Sequence, residues 1–172
     1  MNNISTRMRP IILGSVTMIL LSVTPFISFI NLFFCSGIIL GGVAAVLSYN
    51  KQTIQFGLNL YYKDAVIIGI LSGILSAVII SGFNILILLY SKNNPFIEMK
   101  SLVESFSNSF PEITKEFDKL SAEYDRYGYS PTLSIFMFLM HIVIYPLFGS
   151  IGALITVSVV NKRKHSNINS KN

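Results

Sequence analysis

Long uncharged runs of apolar residues alternate with shorter polar segments along the chain, and this pattern predicts several membrane-spanning helices. The clearest run begins after Asp64 and ends at Tyr90. At ~1.5 Å per residue this run is long enough to cross ~30 Å of hydrocarbon as a helix. It lacks the polar face that a surface helix of a soluble domain requires. The predicted spans are residues 10–25, 32–49, 64–90 and 131–160.

The first two spans lie within a single uncharged stretch, residues 11–49. As one helix this stretch would be ~58 Å long, so the chain must turn back within it. We predict the turn at Pro25 to Asn31, because proline disrupts a helix. Pro10 is predicted to be the first residue of span one, and Ser130-Pro131 to begin span four. A signal peptide is the alternative for the N-terminus, but no small-residue cleavage site follows the apolar run.

Polar segments separate or follow these spans. Residues 50–63 predict an interfacial loop, with Asp64 as the N-cap of the third span. Residues 91–130 hold most of the charge, and their apolar residues repeat at helical spacing on both sides of Pro111. These residues are Met99, Leu102, Val103, Phe106 and Phe110 in one helix, and Ile113, Phe117, Leu120, Tyr124 and Tyr127 in the next. The spacing predicts an amphipathic helical hairpin whose apolar face rests on the membrane, on the bundle or on a partner; a solvated loop with some helix is the alternative. The tail, residues 161–172, is predicted to be disordered.

Small residues recur at every fourth position within the second and third spans and again in the fourth. Such a spacing places them on one stripe of a helix, where missing side chains let another helix approach closely. We predict that the stripes of spans two and three pack directly against each other. The residues predicted to pack helices are Gly37, Gly41, Ala45, Gly69, Gly73, Ala77, Gly149 and Ala153.

Basic residues are concentrated on one side of the predicted membrane topology. The N-terminus, the 50–63 connection and the tail carry eight Lys and Arg residues against Asp64 alone, whereas residues 91–130 carry five basic and seven acidic residues. The positive-inside rule therefore predicts cytoplasmic termini and an extracytoplasmic hairpin. The residues predicted to set the topology and to contact anionic lipids are Arg7, Arg9, Lys162, Arg163 and Lys164.

Composition supports the membrane class and excludes several kinds of site. The chain of 172 residues is 52% hydrophobic and 12% charged, with a mean hydropathy of +0.62. Its single cysteine and two histidines leave no multi-cysteine or two-histidine metal site on one side of the membrane. We find no phosphate-binding glycine loop and no nucleophile motif, so we expect no enzyme activity, metal or cofactor. The net charge of +5 comes from loops and termini, so we expect no nucleic-acid binding.

Asn84 and His141 are the strongly polar side chains inside the third and fourth spans. Counted from the outer ends of the spans, they lie ~9 Å and ~14 Å deep, so they could meet if the two helices are neighbours. One interpretation is a proton or solute site. The other is a histidine that joins helices through a hydrogen bond to Asn84, Thr24 or a backbone carbonyl. Tyr145, one turn after His141, could extend the pair to a network, either as a proton relay or as ordinary packing of a kinked helix.

The chain resembles small bacterial four-span integral membrane proteins. The resemblance lies in Gly41-Gly42-Val43-Ala44-Ala45, in the span from Asp64 through Gly73, and in Phe148-Gly149-Ser150-Ile151-Gly152-Ala153-Leu154. It implies a bacterial cytoplasmic-membrane location and no particular activity. We thus expect a single all-α domain over 1–172, a four-helix transmembrane bundle with an extracytoplasmic hairpin. The expected role is structural, through self-association or a membrane-protein partner; the alternative is a small transporter or channel that uses Asn84 and His141.

Overall fold

The computed structural model describes residues 4–24, 35–90, 95–106 and 111–169. Within these ranges every regular element is a helix, which confirms the all-α class. The helices are α1 (Ile4–Val23), α2 (Ser36–Gln55), α3 (Tyr62–Tyr90), α4 (Pro95–Phe106), α5 (Pro111–Tyr127) and α6 (Pro131–Asn169). The predicted turn at 25–31, Phe110 and the side chains of Leu102 and Phe106 lie outside the described part of the chain.

The contacts between residues divide the chain into two compact units. The first unit comprises Met1–Ile79 and His141–Asn172, and the second comprises Ile80–Met140. Helices α3 and α6 each run through both units. The single domain expected over 1–172 stays a prediction.

Two helices of the described chain are long and apolar enough to cross a membrane. They are α3, with 29 residues, and the part of α6 from Pro131 to Lys164, with 34 residues. Helices α1 and α2 have 20 residues each, a length of ~30 Å.

The first unit buries many small residues and exposes many large apolar ones. Ala45, Ala65, Ala77 and Ala153 have no accessible surface, and the glycines of α1, α2 and the inner face of α3 are buried with them. Large apolar side chains on the same helices are exposed: Ile12, Leu13, Val16 and Leu20 on α1, Leu40 and Leu47 on α2, Leu71, Ile74, Leu75 and Val78 on α3, and Leu147, Ile151, Leu154, Ile155 and Val159 on α6. Larger side chains join three of these alanines in a core that consists of Ile11, Ala45, Val46, Tyr49, Leu60, Ala65, Ile68, Ala153 and Val157.

The second unit contains the predicted helical hairpin, α4 and α5. The buried Phe96 of α4 packs edge-to-face on Phe117 and Tyr124 of α5, with ring centroids 5.4 Å and 5.9 Å apart. The apolar stripe predicted on α5 is thus partly covered by α4. Ile113 and Tyr127, at the two ends of the stripe, stay exposed.

The corner between α5 and α6 is held by polar contacts. Gly128 has φ +76°, a left-handed conformation that glycine adopts without strain, and its N–H donates to Tyr124 O at 2.8 Å. Ser130 then caps α6, because its hydroxyl accepts a hydrogen bond from the N–H of Leu133 at 3.2 Å. The predicted start at Ser130-Pro131 is confirmed.

The prediction that Pro10 begins the first helix is wrong. Helix α1 begins at Ile4 and carries Pro10 inside it. Proline removes one backbone donor from the helix, which costs one hydrogen bond. The turn before Pro10 is held in place by Arg7, whose guanidinium pairs with the carboxylate of Asp64 at 2.7 Å.

The connection predicted at 50–63 is shorter than expected. Helix α2 continues to Gln55, and the chain turns at Gly57, where φ is +64°. Helix α3 begins at Tyr62, so Asp64 lies in its first turn and is not the N-cap. There the carboxylate still favours the helix, because it lies near the positive end of the helix dipole.

The tail predicted to be disordered is helical as far as Asn169. No proline or glycine interrupts residues 161–169, so the sequence contains no helix breaker after the apolar run. The side chain of Lys164 also donates a hydrogen bond to Asn59 Oδ1 at 2.6 Å.

Candidate functional site

The small residues of α2, α3 and α6 meet at backbone distance inside the first unit. A Cβ added at Gly69 would lie 2.7 Å from Gly149 O and 2.9 Å from the Cβ of Ala153. A Cβ added at Gly73 would lie 2.5 Å from the Cα of Pro146. Carbon atoms in ordinary contact are ~3.5–4.0 Å apart, so each of these positions admits only glycine without a shift of the neighbouring helix.

The glycines of α2 have different neighbours. A Cβ at Gly41 would collide with the side chain of Met18 on α1, and a Cβ at Gly42 would collide with the carbonyl of Gly149 on α6. The sequence predicts that the stripes of α2 and α3 pack on each other. The atoms nearest to these glycines belong instead to α1 and α6, because two helices that both carry small residues can each approach a third.

The remaining residues predicted to pack helices are also inside the first unit. Gly37, Ala45 and Ala77 are buried. A Cβ at Gly14, which lies outside the predicted stripes, would lie 2.5 Å from the Cβ of Ala45 and 2.9 Å from the hydroxyl of Ser72.

Three buried serines connect α1 to α3, and sequence reasoning missed them. The hydroxyl of Ser15 donates to Ser72 O at 3.0 Å and to Ile11 O at 2.8 Å. The hydroxyl of Ser72 reaches back to Ile11 O at 3.2 Å, and that of Ser76 to Ser15 O at 3.3 Å. Ser72 and Ser76 are four residues apart beside the glycine stripe of α3, which is the sequence signal that could have identified them.

The residues predicted to set the topology fall into two groups. Arg7 is half-buried in its ion pair with Asp64, with 25% and 22% of the two side chains accessible. Arg9 is exposed, as are Lys162, Arg163 and Lys164 on α6. An ion pair between residues 57 apart in sequence ties the start of α1 to the start of α3.

His141, Tyr145 and Ser22 are in contact one after another, and we call these three residues the polar string. The His141 ring lies edge-on to the Tyr145 ring, with centroids 5.4 Å apart and planes at 80°. The buried Tyr145 hydroxyl donates to Ser22 Oγ at 2.9 Å. Asn84 is exposed on α3 and belongs to the second unit, so its pairing with His141 stays a prediction.

The carboxylate of Glu123 accepts three hydrogen bonds at the corner between α5 and α6. It accepts hydrogen bonds from the Ser130 hydroxyl at 2.6 Å, the Thr132 hydroxyl at 2.5 Å and the Thr132 N–H at 3.0 Å. These bonds lower the pKa of the Glu123 carboxyl from its ordinary value of 4.5, and the bond from Ser130 has the largest effect. The contacts tie α5 to the first turn of α6.

Among the described residues, no three His, Cys, Asp or Glu side chains are grouped so that they could hold a metal ion. The contacts described above that join helices include the hydroxyls of Ser15, Ser72 and Ser76, the ion pair of Arg7 with Asp64, and the carboxylate of Glu123.

No family of known proteins, no curated protein and no solved structure matches the chain.

Proposed function

We propose that the protein is a four-span integral membrane protein with cytoplasmic termini, and that its role is structural. In this proposal the bundle anchors the extracytoplasmic hairpin of α4 and α5, which binds a membrane-protein partner or a second copy. The observation that carries it is the distribution of side chains in the first unit. Small and hydroxyl-bearing residues are buried together with a few large apolar ones, such as Met18 and Ile68, whereas most of the large apolar side chains on the long helices are exposed.

This distribution supports a membrane location for all four long helices. Without a hydrophobic drive between helices, membrane bundles pack through small residues and hydroxyls and direct large apolar side chains at lipid. The exposed apolar side chains extend from Leu71 to Tyr90 on α3 and from Ile135 to Val159 on α6, ~29 Å and ~36 Å along the helices. Soluble proteins rarely expose contiguous apolar surface on this scale.

The outer part of α6 adds to this support. All six residues from Ile135 to Met140 are exposed. Six successive residues of a helix point in every direction around its axis, so this part is apolar and exposed all round. Lipid or a partner must cover it.

Backbone contact inside the first unit supports a structural role. The contacts of Gly42, Gly69 and Gly73 with α6 bring helices together at a distance that excludes side chains. The same contacts use the glycine stripes within the chain, so a partner surface must lie elsewhere. On the hairpin, Ile97 and Met99 of α4 and Ile113 and Tyr127 of α5 are exposed.

The test of the interaction role is cross-linking of the full chain in native membranes, followed by mass measurement of the purified complex. We expect a defined complex that is lost when Ile113→Ser and Tyr127→Ser are combined. The matched control on the same helix combines Glu116→Ser and Lys119→Ser, which removes an exposed ion pair of 3.7 Å. A monomer in the native chain, or equal loss in the control, would contradict the proposal.

The topology is tested with single cysteines in a Cys35→Ser background. An impermeant maleimide should label Ser121→Cys in intact cells and Lys162→Cys only after permeabilisation. The reverse pattern would place the hairpin in the cytoplasm.

The polar string of His141, Tyr145 and Ser22 favours a second candidate, a small transporter or channel. If this candidate is correct, His141→Ala abolishes a flux of protons or small solutes in proteoliposomes and leaves the thermal stability unchanged. Loss of stability without any flux in the native chain would assign His141 to helix packing.

A further inference from the structure

Helix α1 carries a shallow groove on its outer face. The groove has a volume of about 470 Å³ and is lined by Arg9, Ile12, Leu13, Val16 and Thr17. These residues follow one another at helical spacing and cover ~12 Å of the helix. Ile12, Leu13 and Val16 are each 48% exposed.

The groove is charged at one end and apolar along the rest. Arg9 is exposed and forms no ion pair within the described ranges, whereas the neighbouring Arg7 is neutralised by Asp64 at 2.7 Å. Thr17, at the other end, donates its hydroxyl to Leu13 O at 2.8 Å, so it requires no polar partner from outside. A ligand for this groove therefore has one anionic group and an apolar chain.

We propose that this face of α1 binds an anionic phospholipid, with the phosphate against Arg9 and one acyl chain along Ile12, Leu13 and Val16. The inference rests on the proposed membrane location, which puts Arg9 at headgroup depth at the cytoplasmic end of α1. One basic residue at the surface contributes about 1 kcal/mol toward an anionic lipid, which is about a fivefold preference over a zwitterionic lipid. The acyl chain supplies the apolar contact that any membrane lipid would make.

The chain has no tryptophan, so the fluorescence of one introduced tryptophan comes from a single known position. Leu20→Trp lies on the same face one turn beyond the groove, and Leu40→Trp on α2 is the matched control. Each is exposed, and each lies eleven residues from a basic residue, Arg9 or Lys51. The measurement is fluorescence quenching of each variant in bilayers that contain acyl-brominated phosphatidylglycerol or acyl-brominated phosphatidylcholine.

We expect phosphatidylglycerol to occupy the site at Leu20→Trp about fivefold more readily than phosphatidylcholine. Adding Arg9→Gln should bring the ratio to about one. Adding Lys51→Gln, which removes the same charge from the same predicted side of the membrane, should leave the ratio unchanged. An equal effect of the two substitutions, or none from Arg9→Gln, overturns the site.

The remaining outcomes separate this site from the proposed function. Quenching at Leu40→Trp without quenching at Leu20→Trp would show that protein covers α1, and it would overturn the lipid site alone. If neither lipid quenches either variant, the membrane location is wrong. Quenching of both variants with no lipid preference keeps the membrane location and overturns the site.

Discussion

Replacement of Gly73 by alanine tests the backbone contact between α3 and α6 most directly. The three atoms nearest to an added Cβ are the Cα and N of Pro146, both at 2.5 Å, and the carbonyl carbon of Tyr145 at 2.6 Å. All three belong to the backbone, so no side chain can rotate away. Relief to an ordinary carbon contact of ~3.5 Å would require the two helices to separate by ~1 Å.

The expected cost follows from two opposing effects. Overpacking of a close interior costs ~1–3 kcal/mol, and the upper part of that range, ~2–3 kcal/mol, applies where backbone must move. Alanine regains ~1 kcal/mol, because glycine is the poorer helix former. The free energy of unfolding should therefore fall by ~1–2 kcal/mol for Gly73→Ala. For a chain of this length that corresponds to a fall in Tm of ~2–8 °C.

Gly82→Ala is the control on the same helix. A Cβ at Gly82 would meet nothing within 4 Å, so only the gain in helix propensity applies. Its Tm should stay the same or rise by ~2–4 °C. The assay is thermal unfolding of the purified protein in one detergent, followed by far-ultraviolet circular dichroism and by the monomer peak in gel filtration. A rise in Tm for Gly73→Ala, or equal shifts for both variants, would refute the close approach.

Three further predictions concern polar contacts. Glu123→Gln should remove a pH dependence of stability. Because the pKa of Glu123 is lowered in the folded state, the ionised carboxylate stabilises the fold above pH 4.5, and this contribution is lost as the pH falls through the folded-state pKa. The difference in Tm between wild type and variant should therefore shrink between pH 6 and pH 3. Ser15→Ala should lower the free energy of unfolding by ~0.6 kcal/mol, the average for a hydrogen bond between membrane helices, measured by unfolding in mixed micelles. A double-mutant cycle with Arg7→Gln and Asp64→Asn should give a coupling of ~0.5–1 kcal/mol that decreases at high salt, and a coupling of zero would contradict the ion pair.

The positions and types of the helices follow from local properties of the sequence. The uncharged run after Asp64 becomes α3, and the residues that repeat around Pro111 become α4 and α5. The start of α6 is readable because Ser130 and Pro131 act on the backbone directly beside them. Where local signals are weak the predictions fail: one proline did not begin α1, and the polar tail without a helix breaker continued α6.

The candidate site was likewise predictable from the sequence only in part. A stripe such as Gly69 and Gly73 shows that some backbone must approach there, because a missing side chain exposes the helix axis. The stripe does not indicate which helix approaches. In the structure Gly149 and Pro146 of α6 lie against it, whereas the sequence predicts α2.

The tertiary structure alone decides the polar contacts between distant helices. Ser15 meets Ser72 across 57 residues, and Arg7 meets Asp64 across the same separation. Each contact depends on the rotation and the axial shift of one helix against another, and these are set by the packing of all the small residues together. Sequence periodicity defines the face of each helix, whereas the partner of that face is a property of the whole bundle.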